Sequence, residues 1–157
     1  MNQVKPIAIT MGDPAGIGPE IIIKAFTQAP EITAGCFVVG EKATLLRAAK
    51  MLGADLAIES LFEHQIGTEP AYLLPGVLSI YEQNPGVTST HALGEISAAA
   101  GKAAADAVIW AARAALNGQI AALVTAPLHK EALHAAGVPY PGHTELLQAE
   151  AAAFLGK

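Results

Sequence analysis

With one cysteine, Cys36, the chain cannot form an internal disulfide, and the run Cys36-Phe37-Val38-Val39 makes a small buried core residue its simplest role. Lysine and arginine number nine and never form a run; with a net charge of −5, there is no electrostatic footprint for nucleic acid. Charged residues are 15% of the chain, against about 25% in ordinary soluble domains, and 33 of the 157 residues are alanine. So little charge suits a chain that buries much of its surface, against a missing half or a second subunit; an alanine-rich proteome explains it equally well. The longest apolar stretch, Ala103 to Leu116, is interrupted by Asp106 and Arg113 and is too short to span a bilayer. The opening Met1-Asn2-Gln3-Val4-Lys5-Pro6 lacks the basic and apolar regions of a signal peptide. The expectation is a cytoplasmic protein with neither membrane nor nucleic acid as partner.

Apolar runs are what the chain has in quantity. Strands read at Ile7 to Thr10, Cys36 to Val39, Leu56 to Ile58, Val77 to Ile80 and Ala121 to Thr125; continuous rather than alternating patterns predict burial on both faces. Helices read at Pro19 to Gln28, Lys42 to Leu52, Ile96 to Asn117, Lys130 to Ala135 and Thr144 to Leu155. Their alternation predicts a layered α/β/α fold with a mainly parallel sheet. Glu59 to Gly76, with Pro70 and Pro75, reads as a long irregular connection, and Asn84-Pro85-Gly86 followed by Thr88-Ser89-Thr90 as a turn and loop. In the long helix, Lys102, Asp106, Arg113 and Asn117 share one narrow wet stripe opposite Ala100, Ala104, Val108, Ala111 and Ala115, so this helix is architectural.

The residues that speak of chemistry lie in three strings. Gly12-Asp13-Pro14-Ala15-Gly16-Ile17-Gly18-Pro19-Glu20 joins a strand to a helix, and its glycines permit positive φ and close approach of a ligand. It is not the dinucleotide fingerprint, because Ile21 stands where the third glycine belongs; by itself it is either a tight turn or a ligand loop. Thr125-Ala126-Pro127-Leu128-His129-Lys130 ends a strand, at the edge where open α/β sheets bind ligands. Lys130 there is either a phosphate or carboxylate partner or a solvated lysine opening a helix, and His129 has the same two readings. In Pro141-Gly142-His143-Thr144-Glu145, Thr144 is a natural N-cap and His143 sits beside a helix N-terminus, which makes a simple cap with an exposed histidine or an anion site. His129 and His134, five apart, lie about 140° from each other round a helix and cannot chelate one ion. His64 and His91 have no carboxylate at ligand spacing.

In this order and at these separations the three strings resemble the 4-hydroxythreonine-4-phosphate dehydrogenases, from about Lys5 to the last residue. The family commonly has glycine where this chain has Ala126. Residues 1–157 then correspond to the N-terminal part of a two-domain dehydrogenase, truncated before its metal-binding region and inactive alone. The resemblance implies NAD-dependent oxidation and decarboxylation of 4-phosphooxy-L-threonine in pyridoxal phosphate biosynthesis. It also implies a homodimer and a divalent metal, zinc, magnesium or cobalt, bound by residues beyond this chain, so no metal ligand is expected here. A paralogous dehydrogenase of phosphorylated threonate or erythronate would carry the same motifs, and a non-catalytic truncated module is the third alternative. In the family the His-Thr pair touches the phosphorylated substrate, which puts His143 and Thr144 at the substrate. Gly12, Asp13, Gly16 and Gly18 are expected near the cofactor, and no catalytic residue is named.

Overall fold

The computed structural model describes residues 4–68, 73–86 and 91–157. Strands β1 (Ile7–Thr10), β2 (Cys36–Val39), β3 (Ala57–Leu61), β4 (Val77–Tyr81) and β5 (Ala122–Thr125) form one sheet in the order β3-β4-β2-β1-β5. Every pairing is parallel, with Ile7 opposite both Cys36 and Ala122, and Thr10 opposite both Val39 and Thr125. The helices are α1 (Gly18–Gln28), α2 (Pro30–Thr33), α3 (Lys42–Met51), α4 (Ala98–Leu116), α5 (Lys130–Ala135) and α6 (His143–Leu155). The expected α/β fold with a parallel sheet is therefore present.

Each face of the sheet has its own core. Ile22, Ile23 and Phe26 of α1 and Leu45, Ala48 and Ala49 of α3 pack with Val38, Leu78 and Ile80. On the other face Ala107, Ala111 and Ala114 of α4 pack with Ala8, Phe37, Val39 and Tyr81, and Trp110 meets Phe37 edge-on and Tyr81 with ring centres 4.5 Å apart. Alanine serves α4 because it lets backbones approach. At Gly101 even a methyl is too much, since a Cβ there would lie 1.9 Å from the carbonyl oxygen of Ala132 in α5. The alanine face is thus covered by the chain's own sheet, α5 and α6. Ser97 caps α4, its hydroxyl accepting from Ala100 N at 3.1 Å, and Lys102 pairs with Asp106 on the wet stripe. Cys36 is half-buried against the first core, and burial pushes its thiol pKa up.

Three expectations change. Burial on both faces fails for β3 and β5, because these are the edges: Val124 is 52% exposed, and Glu59 and Ser60 are exposed. The irregular connection 59–76 begins as strand, with Glu59, Ser60 and Leu61 in register with Ser79, Ile80 and Tyr81, and continues into a 3-10 turn at Glu63–Gln65. The short helix α2 has no counterpart in the apolar pattern. Pro70 and Thr88-Ser89-Thr90 lie outside the described residues.

The topology also places the site. From β1 the chain passes through α1 to β2 on one side, and β5, reached through α4 on the opposite face, pairs with β1 on the other. The turns leaving β1 and β5 therefore flank the point where strand order reverses, which is where open α/β sheets form a ligand crevice.

Candidate functional site

The glycine-rich loop is fastened to its neighbour strand turn. Ala126 N donates to Thr10 O and Asp13 N to Pro127 O, each at 3.0 Å. Asp13 is 6% exposed, and its Oδ1 accepts from Ala15 N at 2.8 Å. Gly12 has φ +75°, and a Cβ on it would lie 2.3 Å from Pro127 O; at Gly18 a Cβ would lie 2.2 Å from Met11 O. Both glycines are needed for backbone packing within the protein. Gly16 is less confined, its Cβ position meeting only atoms of Asp13 from 3.4 Å.

A strap formed by residues 91–94 holds the loop from outside. Gly94 N donates to Ala15 O at 2.8 Å, and Arg47 donates to Pro14 O at 2.9 Å and to His91 O. His91, 8% exposed, sets Nε2 3.0 Å from both oxygens of Glu41, whose carboxylate also accepts from Thr44. The histidine without a carboxylate at ligand spacing thus has one from fifty positions away, a pairing that spacing along the chain could not reveal. Glu41, His91, Gln83, Asn84 and the Lys102–Asp106 edge of α4 line a hollow of about 240 Å³.

The second and third strings form a hollow together. Pro127, Leu128 and Lys130 face Pro141, Gly142, His143, Thr144 and Glu145 across a volume of about 400 Å³. Leu146 N donates to Gly142 O, so the extended Gly142 is the N-cap of α6 and no side chain caps that helix. Thr144 is not the cap; it lies in the first helical turn, exposed. Its hydroxyl is thereby free for a ligand. His143 is half-buried, and its Nε2 is wholly buried with no hydrogen-bond partner among the described residues. Burial pushes the His143 pKa down, partly offset by a hydrogen bond to the Ala126 backbone. The ring is therefore neutral at neutral pH, beside free amides that favour an anion. His129 and His134 are exposed, and His134 lines a separate hollow with Tyr140. Among the described residues, no group of three or more His, Cys, Asp or Glu side chains fits a metal ion.

The depressed His143 pKa has a measurable consequence. Just below the ordinary histidine value of 6.5 the unfolded chain binds a proton that the folded chain refuses, so stability falls as pH drops through that window. His143→Gln should remove this part of the pH dependence. Urea denaturation of both proteins between pH 7.5 and about 5 checks it: a stability difference that does not vary with pH means that His143 is not held neutral.

Residues 33–154 match the protein family described as pyridoxal phosphate biosynthetic protein PdxA. The chain is 42% identical over 142 residues to a 4-hydroxythreonine-4-phosphate dehydrogenase of Beijerinckia indica subsp. indica, covering 90% of this chain and 40% of that one. It is 43% identical over 149 residues to a D-threonate 4-phosphate dehydrogenase of Salmonella typhimurium, covering 92% and 43%. Its fold superposes on the crystal structure of a 4-hydroxythreonine-4-phosphate dehydrogenase from Klebsiella pneumoniae with a TM-score of 0.80 at 40% identity, over 96% of this chain and 45% of that one. The chain spans less than half the length of these relatives. No described helix is long and apolar enough to cross a membrane. On the extent of these matches and the shared parallel sheet, the chain belongs to the pyridoxal phosphate biosynthetic protein PdxA family.

Proposed function

We propose that this chain supplies the substrate-orienting part of a cytoplasmic, homodimeric dehydrogenase that oxidises the C3 hydroxyl of 4-phosphooxy-L-threonine, with NAD as hydride acceptor and loss of CO2 from the resulting β-keto acid. The observation that carries the reading is the hollow between Pro127-Leu128-Lys130 and the start of α6, whose walls bring His143 and Thr144 together. His143 and Thr144 hold an anionic group of the substrate against the first-turn amides of α6. Fixing that end limits how the hydroxyl-bearing carbon can present its hydrogen to the acceptor. NAD and the divalent metal belong to this proposal through the family resemblance, NAD beside the loop of Gly12, Asp13, Gly16 and Gly18 and the metal on residues beyond this chain.

D-threonate 4-phosphate is the second reading, favoured by a relative named for that activity at an identity equal within one percentage point. The two acids share the phosphate that the hollow would hold and differ at C2, which bears an amino group in one and a hydroxyl in the other. Steady-state NAD reduction by the intact protein, with each acid in turn and divalent metal present, separates them through kcat/KM. A purified, folded protein that oxidises neither acid overturns the proposal and favours a non-catalytic module.

A further inference from the structure

We propose that Lys130 supplies the charge that recognises the substrate's phosphate, and that without it the hollow would repel the group it holds. The inference rests on the phosphorylated-substrate reading above. Lys130 opens α5 and lines the hollow from the wall opposite the start of α6. It is exposed, and among the described residues it has no hydrogen-bond or ion-pair partner. Other cations on helices that pack nearby are committed elsewhere: Lys102 to Asp106, and Arg113 through two hydrogen bonds to Glu150 of α6.

The charges lining the hollow decide the matter. His143 is held neutral by burial. Glu145 carries a full negative charge, and its Oε2 leans back to 3.6 Å from the position a Cβ would take on Gly142, over the start of α6. The helix N-terminus contributes roughly half a positive charge, less than Glu145 removes. Lys130 is the remaining formal charge on these walls, so the site is attractive to a dianion with it and unattractive without it. Lys130 then sets affinity.

Inorganic phosphate is the probe, titrated at pH 7.5 into the chain while the His143 ring resonance is followed by NMR, with thermal denaturation as the control for folding. The parent should show a saturable shift. Lys130→Met should weaken the apparent Kd at least about tenfold, the order expected for a lost charge-assisted hydrogen bond, and Glu145→Gln should tighten it. The parent's affinity should also fall with added salt more steeply than that of Lys130→Met. The proposal is overturned by a parent resonance that does not saturate, by Lys130→Met binding within twofold of the parent, or by Glu145→Gln binding more weakly. The same titration with the two phosphorylated acids tells the two failures apart. If both acids bind and Lys130→Met binds them equally well, only the role of Lys130 is lost. If inorganic phosphate binds through Lys130 and neither acid binds or is oxidised, the anion site stands and the substrate reading falls.

Discussion

Gly12→Ala is expected to be among the most damaging single-methyl additions in this protein. Two effects add. A non-glycine residue at φ +75° bears strain of about 1 to 3 kcal/mol. The new Cβ also falls 2.3 Å from the carbonyl oxygen of Pro127 and 2.9 Å from that of Ala126, which are backbone atoms that cannot rotate away as a side-chain tip would. Separating the loop from the β5–α5 turn threatens the hydrogen bond from Asp13 N to Pro127 O. Overpacking of this kind costs about 1 to 3 kcal/mol more, so the expected total is about 2 to 6 kcal/mol. Gly137→Ala is the control: Gly137 has φ +74° with nothing within 4 Å of its Cβ position, so it isolates the conformational part. Urea denaturation of both variants gives the steric part by difference. A Gly12→Ala protein no less stable than Gly137→Ala would mean that the loop does not press on the turn as the structure has it. Because Pro127 also lines the hollow with His143, the variant should disturb that hollow from a position that does not line it.

That coupling could not be read along the chain, although each partner could. The glycine-rich string and the Thr125-Ala126-Pro127 string are more than a hundred residues apart, and only the pairing of β1 with β5 in register brings them together. What was legible is what local physics decides. β1, β2 and α5 fall at the expected residues, and α3 and β5 within one residue of them, because apolar runs or periodic stretches end at turn-forming residues. β3 was half legible: Ala57 and Ile58 are apolar, but Glu59 and Ser60 are polar because an edge strand has a face to spare, and their place is held by pairing with β4. The ring of His91 meets the carboxylate of Glu41 for the same long-range reason. At α6 the local rule misled. Thr144 is the better capping residue by type, yet the extended Gly142 takes the N-cap and its carbonyl accepts from Leu146 N, which moves the helix start back by one residue and places His143 within it.

That one-residue shift changes what substitution at Thr144 should do. As a cap it would cost roughly 1 kcal/mol of stability on replacement by alanine. As an exposed first-turn residue with no capping bond, Thr144→Ala should alter stability by less than about 0.5 kcal/mol and reveal itself only in turnover. His143→Ala in the intact protein should lower kcat/KM by a factor corresponding to about 1.5 to 3 kcal/mol, the range for a hydrogen bond to a charged group. It also removes the ring's hydrogen bond to the Ala126 backbone, so a stability loss of about 0.5 to 1.5 kcal/mol should accompany it. Steady-state kinetics beside thermal denaturation of the two variants separates a ligand site from a helix start. Kinetic loss in both, with stability retained in Thr144→Ala, is the expected pattern. A Thr144→Ala protein that loses stability but keeps its kcat/KM would restore the capping role, and a His143→Ala protein within twofold of the parent in kcat/KM would remove the substrate from this hollow.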